Sequence, residues 1–196
     1  MLASNQSAYG FNYFYPEIVK GFNLGSRTIT LVCTAPPYLI GAVISYIIAW
    51  SSDRRGERGY HISIPMLVAA VGFIISLAVL NVPARYVASF LYVSGAFGAS
   101  ATLYSWAATS VSQTPEKRAC ATALINVMGQ FGSIWSPYFF DSGDAPRYTR
   151  AMILLVVFAL LQVALCFLMK FMLRKANKKI LAEFEGTGIT PNLFTL

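Results

Sequence analysis

The strongest chemical signal in the chain is the run Asp53-Arg54-Arg55-Gly56-Glu57-Arg58, between two apolar stretches. A carboxylate among guanidiniums at a tight turn forms charge-assisted pairs that hold neighbouring helix ends together. Asp53 also suits the positive N-terminus of a nearby helix. Pairs that close in one conformation and open in another make a gate latch, here with Asp53, Arg54, Gly56 and Arg58 as its parts. A solvated basic loop on the inner face of a membrane accounts for the same charges.

A second signal is a polar stripe. Asn126, Gln130, Ser133 and Pro137 stand at i, i+4, i+7 and i+11, on one face of a helix. Lipid does not accept such a face, so it points at other helices or at a wet cavity. Interhelical hydrogen bonding and a substrate cavity both explain it. Gly95, Gly98 and Ala99 offer a close-packing surface, while Tyr92, Tyr104 and Trp106 add aromatic rings with polar handles. Those rings either pack or line a site for a planar ligand. Pro36 and Pro37 remove two backbone donors inside an apolar run, which predicts a bend or unwound point that is either a hinge or a static kink. Asn5, Tyr9 and Asn12 can face inward together on the first apolar stretch.

Catalytic sets are missing. His61 is the only histidine and falls in a loop. Cys33, Cys120 and Cys166 lie in apolar stretches without a CxxC pattern, which argues against a disulfide framework or a zinc site. With no Ser/His/Asp set and no phosphate loop, the chain is not expected to be an enzyme or to carry a metal or cofactor. Within hydrocarbon depth Glu17 is the one ionisable candidate, and Lys170 is near enough to an end to snorkel. No Lys or Arg precedes Lys20, so a basic signal-peptide start is lacking. Asn5-Gln6-Ser7 fits the glycosylation pattern but lies in or beside a candidate span, where it is not expected to be used.

Long apolar stretches must hold these residues. The chain has 196 residues, 56% hydrophobic and 12% charged, with mean hydropathy +0.57. A soluble domain is typically about 45–50% apolar and about 25% charged. The balance excludes a water-soluble globular enzyme, a disordered region and a nucleic-acid-binding module. The net charge of +7 reads as basic loops on the cytoplasmic side of a membrane. Apolar spans are predicted over residues 1–19, 29–50, 62–82, 86–112, 119–140 and 151–172, joined by short polar loops. The expected fold is therefore an all-α membrane protein with six transmembrane helices in residues 1–172, followed by a basic tail over 173–196. In that tail Leu173, Ala176, Ile180 and Phe184 recur at helical spacing beside Arg174, Lys175, Lys178 and Lys179. The pattern is either an amphipathic helix on an anionic membrane surface or the basic flank of a last span.

Six spans put both termini on one side with loops 51–61 and 113–118. That side holds ten of the fifteen Lys and Arg residues, namely Arg54, Arg55, Arg58, Lys117, Arg118, Lys170, Arg174, Lys175, Lys178 and Lys179. Lys20, Arg27, Arg85, Arg147 and Arg150 fall on the other. The richer side is expected to be cytoplasmic.

Several stretches in order along nearly the whole chain resemble a known family. They are Asn12-Tyr13-Phe14-Tyr15-Pro16, Thr34-Ala35-Pro36-Pro37-Tyr38, the Asp53–Arg58 run, Ala84-Arg85-Tyr86, Lys117-Arg118-Ala119, Ala123-Leu124-Ile125-Asn126, Ser136-Pro137-Tyr138 and Pro146-Arg147-Tyr148. Together they resemble the C-terminal half of a fungal major facilitator superfamily transporter, most of all the anion:cation symporters around the allantoate and nicotinate permeases. The resemblance implies that the spans are the seventh to twelfth of a twelve-helix transporter, built as two inverted three-helix repeats. It implies proton-linked uptake of a small organic anion by alternating access at the plasma membrane, with membrane lipid and no nucleic acid as partner. It puts a gate at Asp53–Arg58 and cavity-facing roles on Asn12, Tyr38, Trp106, Asn126 and Gln130. The first six helices of such a transporter are absent from this chain, and in such families the anion-clamping and proton-coupling charges often lie there. Two other readings of the residues stay open: a structural or interaction membrane protein, and a small self-dimerising carrier.

Overall fold

The computed structural model describes residues 15, 19, 27–110, 114–139, 148–184 and 193–195. Every regular element among them is an α-helix. The helices are α1 (Arg27–Arg55), α2 (Gly59–Ala78), α3 (Val82–Ser110), α4 (Pro115–Phe139) and α5 (Thr149–Phe184). Tyr15 and Val19 are helical positions in the predicted first span. The rest of that span, with Asn5, Tyr9, Asn12 and Glu17, lies outside the described residues.

Local chemistry sets the ends. Arg54 and Arg55 close the last turn of α1, where cations favour the negative end of the helix dipole. Gly56 then takes φ +62°, the left-handed conformation that ends a helix without a Cβ penalty. Pro115 opens α4 at a position that needs no donor. The Lys117 amide donates to Thr114 Oγ1 at 3.3 Å, a side-chain N-cap.

Four of the helices are long and apolar enough to cross a membrane: Leu31–Arg55 within α1, α2, α3 and α5. The chain is an integral, multi-pass membrane protein. The predicted span 119–140 also forms a helix, α4, which is not among those four and carries the polar residues Asn126 and Gln130. Residues 173–184 continue the last apolar helix, because α5 runs unbroken from Thr149 to Phe184. At 36 residues it is about 54 Å long. A hydrocarbon core is about 30 Å thick, so its basic last turns must project beyond the membrane.

The centre of the bundle is α3, with α1 against one side and α2 against another; α2 in turn packs on α5, and α4 touches α3 and α5 lightly. Helices in lipid gain little from the hydrophobic effect and associate by close contact. The contact between α2 and α3 shows this. A Cβ on Gly95 would lie 2.3 Å from Pro65 O and 2.9 Å from the Ala69 amide nitrogen, so only glycine lets the two backbones approach. Gly98 faces α1, and a Cβ there would meet the tip of the Ile48 side chain at 2.7 Å. Ile62, Met66, Phe73, Tyr92, Met152 and Leu155 fill the core. The outer faces stay apolar, with Leu39 68% and Tyr46 73% exposed.

Small polar side chains inside the helices satisfy themselves locally. Ser63 donates to Gly59 O at 2.9 Å, Ser100 to Ala96 O at 2.8 Å and Thr102 to Gly98 O at 3.0 Å. The two prolines of α1 are handled differently. The helix does not unwind at Pro36-Pro37. Proline at 37 has no N–H for the carbonyl of Cys33, and the Tyr86 hydroxyl of α3 donates to that oxygen at 3.0 Å. A neighbouring helix thus supplies the missing backbone bond.

Two sets of substitutions test this packing. Gly95→Ala drives a methyl into backbone and is expected to cost about 2–3 kcal/mol, read as a lowered thermal midpoint in detergent. Gly98→Ala meets a movable side-chain tip and should cost much less. Tyr86→Phe leaves a carbonyl unpaired between helices, at about 1–3 kcal/mol. In a Pro37→Ala background, where the helix regains its own N–H, the same change should cost close to nothing.

Candidate functional site

The Asp53–Arg58 turn is the junction of four helices. Arg58 donates from Nη2 to Asp53 Oδ1 at 2.8 Å, tying the start of α2 to the end of α1. Its Nη1 donates to Ser105 Oγ on α3. Glu57 reaches α5, where Lys170 Nζ donates to Glu57 Oε1. The same carboxylate accepts the Tyr60 amide at 3.3 Å through Oε2, and Ser52 Oγ donates to Glu57 O at 3.0 Å. The Arg58 contacts thus join α1, α2 and α3, and the Glu57 contact adds α5.

Lys170 does not snorkel into solvent. Its side chain is 4% exposed, against 29% for Glu57. Its ammonium lies 3.4 Å from the centre of the Tyr60 ring, a cation–π contact. The stem crosses Gly59 so closely that a Cβ there would sit 2.8 Å from Lys170 Cδ. Glycine at 59 thus lets α5 reach the turn. Gly56 serves by conformation, as the left-handed residue that reverses the chain.

Not every predicted gate residue takes part. Arg54 turns away and lies 5.6 Å above the Trp50 ring on α1. Sequence reasoning missed Glu57 as a partner for α5, and missed the parts that Lys170, Ser105 and Gly59 play at the turn. One signal was legible: Lys170 interrupts an apolar run. Its partner, 113 residues away, was not.

The predicted cavity residues are not brought together. Asn12 lies outside the described residues. Tyr38 is half-buried at the end of the bundle away from the turn, in an aromatic cluster. Its ring meets Tyr15 edge-on at 5.6 Å and Phe97 at 5.9 Å. Tyr15 donates to Ser89 Oγ at 2.9 Å, and Tyr92 stacks on Phe73 at 4.9 Å. Asn126 and Gln130 are both exposed on α4, and the Asn126 amide donates back to Thr122 O at 3.1 Å. Trp106 is buried near the opposite end of α3, and its indole Nε1 donates to Thr195 O at 3.0 Å. Phe194 beside it is gripped by Asn177, whose Nδ2 donates to Phe194 O at 2.8 Å and whose Oδ1 accepts the Phe194 amide at 2.9 Å. Residues 193–195 thus fold back onto α3 and α5. Among the described residues no group of three His, Cys, Asp or Glu side chains could hold a metal ion.

Comparison with known proteins bears on this helical assembly. The family model described as Major Facilitator Superfamily matches residues 1–137, more than half of the chain. The chain belongs to the major facilitator superfamily. It is thus a transporter-family chain and not an enzyme. Among similar superfamily proteins is the MFS-type transporter efuF of Hormonema carpetanum, 34% identical over 151 residues, covering 74% of this chain and 30% of that protein. The major facilitator-type transporter hxnP of Emericella nidulans is 30% identical, over 71% of this chain and 28% of its own length. An uncharacterized transporter of Schizosaccharomyces pombe is 29% identical over 92% of this chain and 37% of its own length. The present superfamily chain spans about a third of the length of these relatives. No solved structure matches it.

The buried Lys170 makes a sharp test. Glu57→Ala strands an uncompensated ammonium between α2 and α5 and should destabilise the protein by about 3 kcal/mol. The double substitution Glu57→Ala/Lys170→Met removes both charges and should recover most of that loss. A cycle with no coupling between the two positions would show that the pair does not hold α5 to the turn.

Proposed function

We propose that this chain is one half of a transporter that moves a small organic anion by alternating access, coupled to protons. The observation that carries the reading is the junction at Asp53–Arg58. One short turn uses Arg58–Asp53, Arg58–Ser105 and Glu57–Lys170 to tie the ends of α1, α2, α3 and α5. Charge pairs at a helix-end junction are bistable elements that open and close as units. In this reading Asp53, Gly56 and Arg58 form the gate, with Arg54 flanking it, and Pro36-Pro37 is the hinge of α1. Asn12, Tyr38, Trp106, Asn126 and Gln130 face a cavity completed by a second six-helix half. The six spans form two inverted three-helix repeats.

The substrate class rests on the resemblance to the anion:cation symporters, and the coupling proton on the same ground. The proposed topology has both termini in the cytoplasm and the chain in the plasma membrane. Its support is the excess of Lys and Arg on the side of the Asp53–Arg58 turn. The polar stripe of α4, with Gln130 open to the surroundings, supports a missing second wall.

Reconstitution tests the reading. In liposomes under a pH gradient, the chain alone should accumulate no labelled nicotinate or allantoate. Joined to an N-terminal six-helix half from an anion:cation symporter, it should do so, and Asn126→Ala/Gln130→Ala should cut that uptake at least about tenfold, or about 1.4 kcal/mol. Uptake by the lone chain overturns the half-transporter reading. Uptake by the joined protein that ignores both substitutions overturns the cavity assignment.

A further inference from the structure

A pocket of about 220 Å³ lies between α3, α4 and α5, on the side of the bundle that includes the last helix. Its walls are mainly apolar, from Leu103, Ile125, Leu165 and Met169, and no charged residue lines it. One neutral amide opens onto it. Gln162 is 4% exposed, and neither its Nε2 nor its Oε1 has a hydrogen-bond partner among the described residues.

The other polar groups of this pocket are already engaged. Ser110 Oγ donates to Trp106 O at 2.8 Å. The Trp106 indole N–H donates to Thr195 O. Cys166 Sγ lies 3.4 Å from Gly59 O. Gln162 is thus the lining residue with a donor and an acceptor both unspent. A buried amide left so is costly, and native proteins give such groups a partner.

We propose that this pocket is a binding site for a small, neutral, largely apolar molecule carrying one amide, carbonyl or hydroxyl group, which Gln162 holds. The apolar walls and lack of charge disfavour an ion. A cavity of about 150 Å³ holds benzene, so this one takes a substituted arene of about ten heavy atoms. The amide fixes orientation, the usual role of a lone polar group in an apolar pocket. The site includes α5 and is lined by none of Tyr38, Asn126 and Gln130, though it shares Trp106 with the proposed transport cavity. It does not depend on transport, and equilibrium binding tests it directly.

Trp106 lines the pocket and reports on it. In the full chain carrying Trp50→Phe and Trp135→Phe, Trp106 is the remaining tryptophan. The protein is placed in lipid nanodiscs and titrated with 4-bromobenzamide, whose bromine quenches a tryptophan in contact. Saturable quenching is expected. Gln162→Leu should weaken it at least about tenfold while keeping the fold, since it replaces an unpaired amide by an apolar chain of similar size. Ala107→Phe fills the pocket and should abolish saturation by volume alone. The smaller apolar analogue 4-bromotoluene, lacking the amide, should quench equally with and without the Gln162→Leu substitution. Linear quenching by 4-bromobenzamide, or saturable quenching that Gln162→Leu leaves unchanged, overturns the proposal.

Discussion

In an apolar medium every buried backbone and side-chain polar group must find its partner inside the protein. That constraint explains why every regular element among the described residues is a helix, in which each segment satisfies its own amides. It explains why serines and threonines inside α2 and α3 bond back to their own helix. It also explains Tyr86. Proline at 37 leaves the Cys33 carbonyl without an amide, and α3 supplies a hydroxyl to it. The repair answers the carbonyl freed by a pair of prolines and fixes the register of α1 on α3. Gln162 is one place among the described residues where the same rule is not met from within, and it lines a pocket.

Close packing carries the rest of the assembly. The hydrophobic effect does not drive helices together in lipid, so the contact of α2 with α3 depends on the missing side chain at Gly95. Charge ties helices together at the Asp53–Arg58 end of the bundle. There the turn reaches its neighbours through short polar contacts, and the ammonium of Lys170 is accepted into a nearly dry site by Glu57 and the Tyr60 ring. An ion pair in such a place is weak evidence of net stability and better evidence of a specified arrangement. It selects the geometry in which α5 lies against the turn.

The surfaces of the bundle fit a chain that spans about a third of its superfamily relatives. Leu39 and Tyr46 on α1 face outward, and α4 keeps light contact with α3 and α5. Local chemistry defines where α4 begins, through its capped start at Thr114 and Pro115. Its polar stripe is open at Gln130, whereas Tyr38 sits in an aromatic cluster and Trp106 beneath the returning segment at Thr195. The cavity residues expected from spacing and resemblance thus occupy separate places in this arrangement.

Composition and periodicity by themselves determined the membrane class, the helical fold and the existence of four spans, because hydropathy and length are local properties. The importance of the Asp53–Arg58 turn was legible for the same reason: its charges are adjacent. Ends were less legible. Nothing local separates the last span from the basic tail, and the structure runs them together as one helix to Phe184. What only the tertiary structure decided is which partners meet. Lys170 with Glu57, Arg58 with Ser105, Tyr86 with Cys33 and Trp106 with Thr195 are pairs 47 to 113 residues apart. A helical pattern states which face a residue occupies but not which helix lies against it. That choice is made by packing, through the few glycines that let backbones touch and the few polar groups that must be answered inside the bundle.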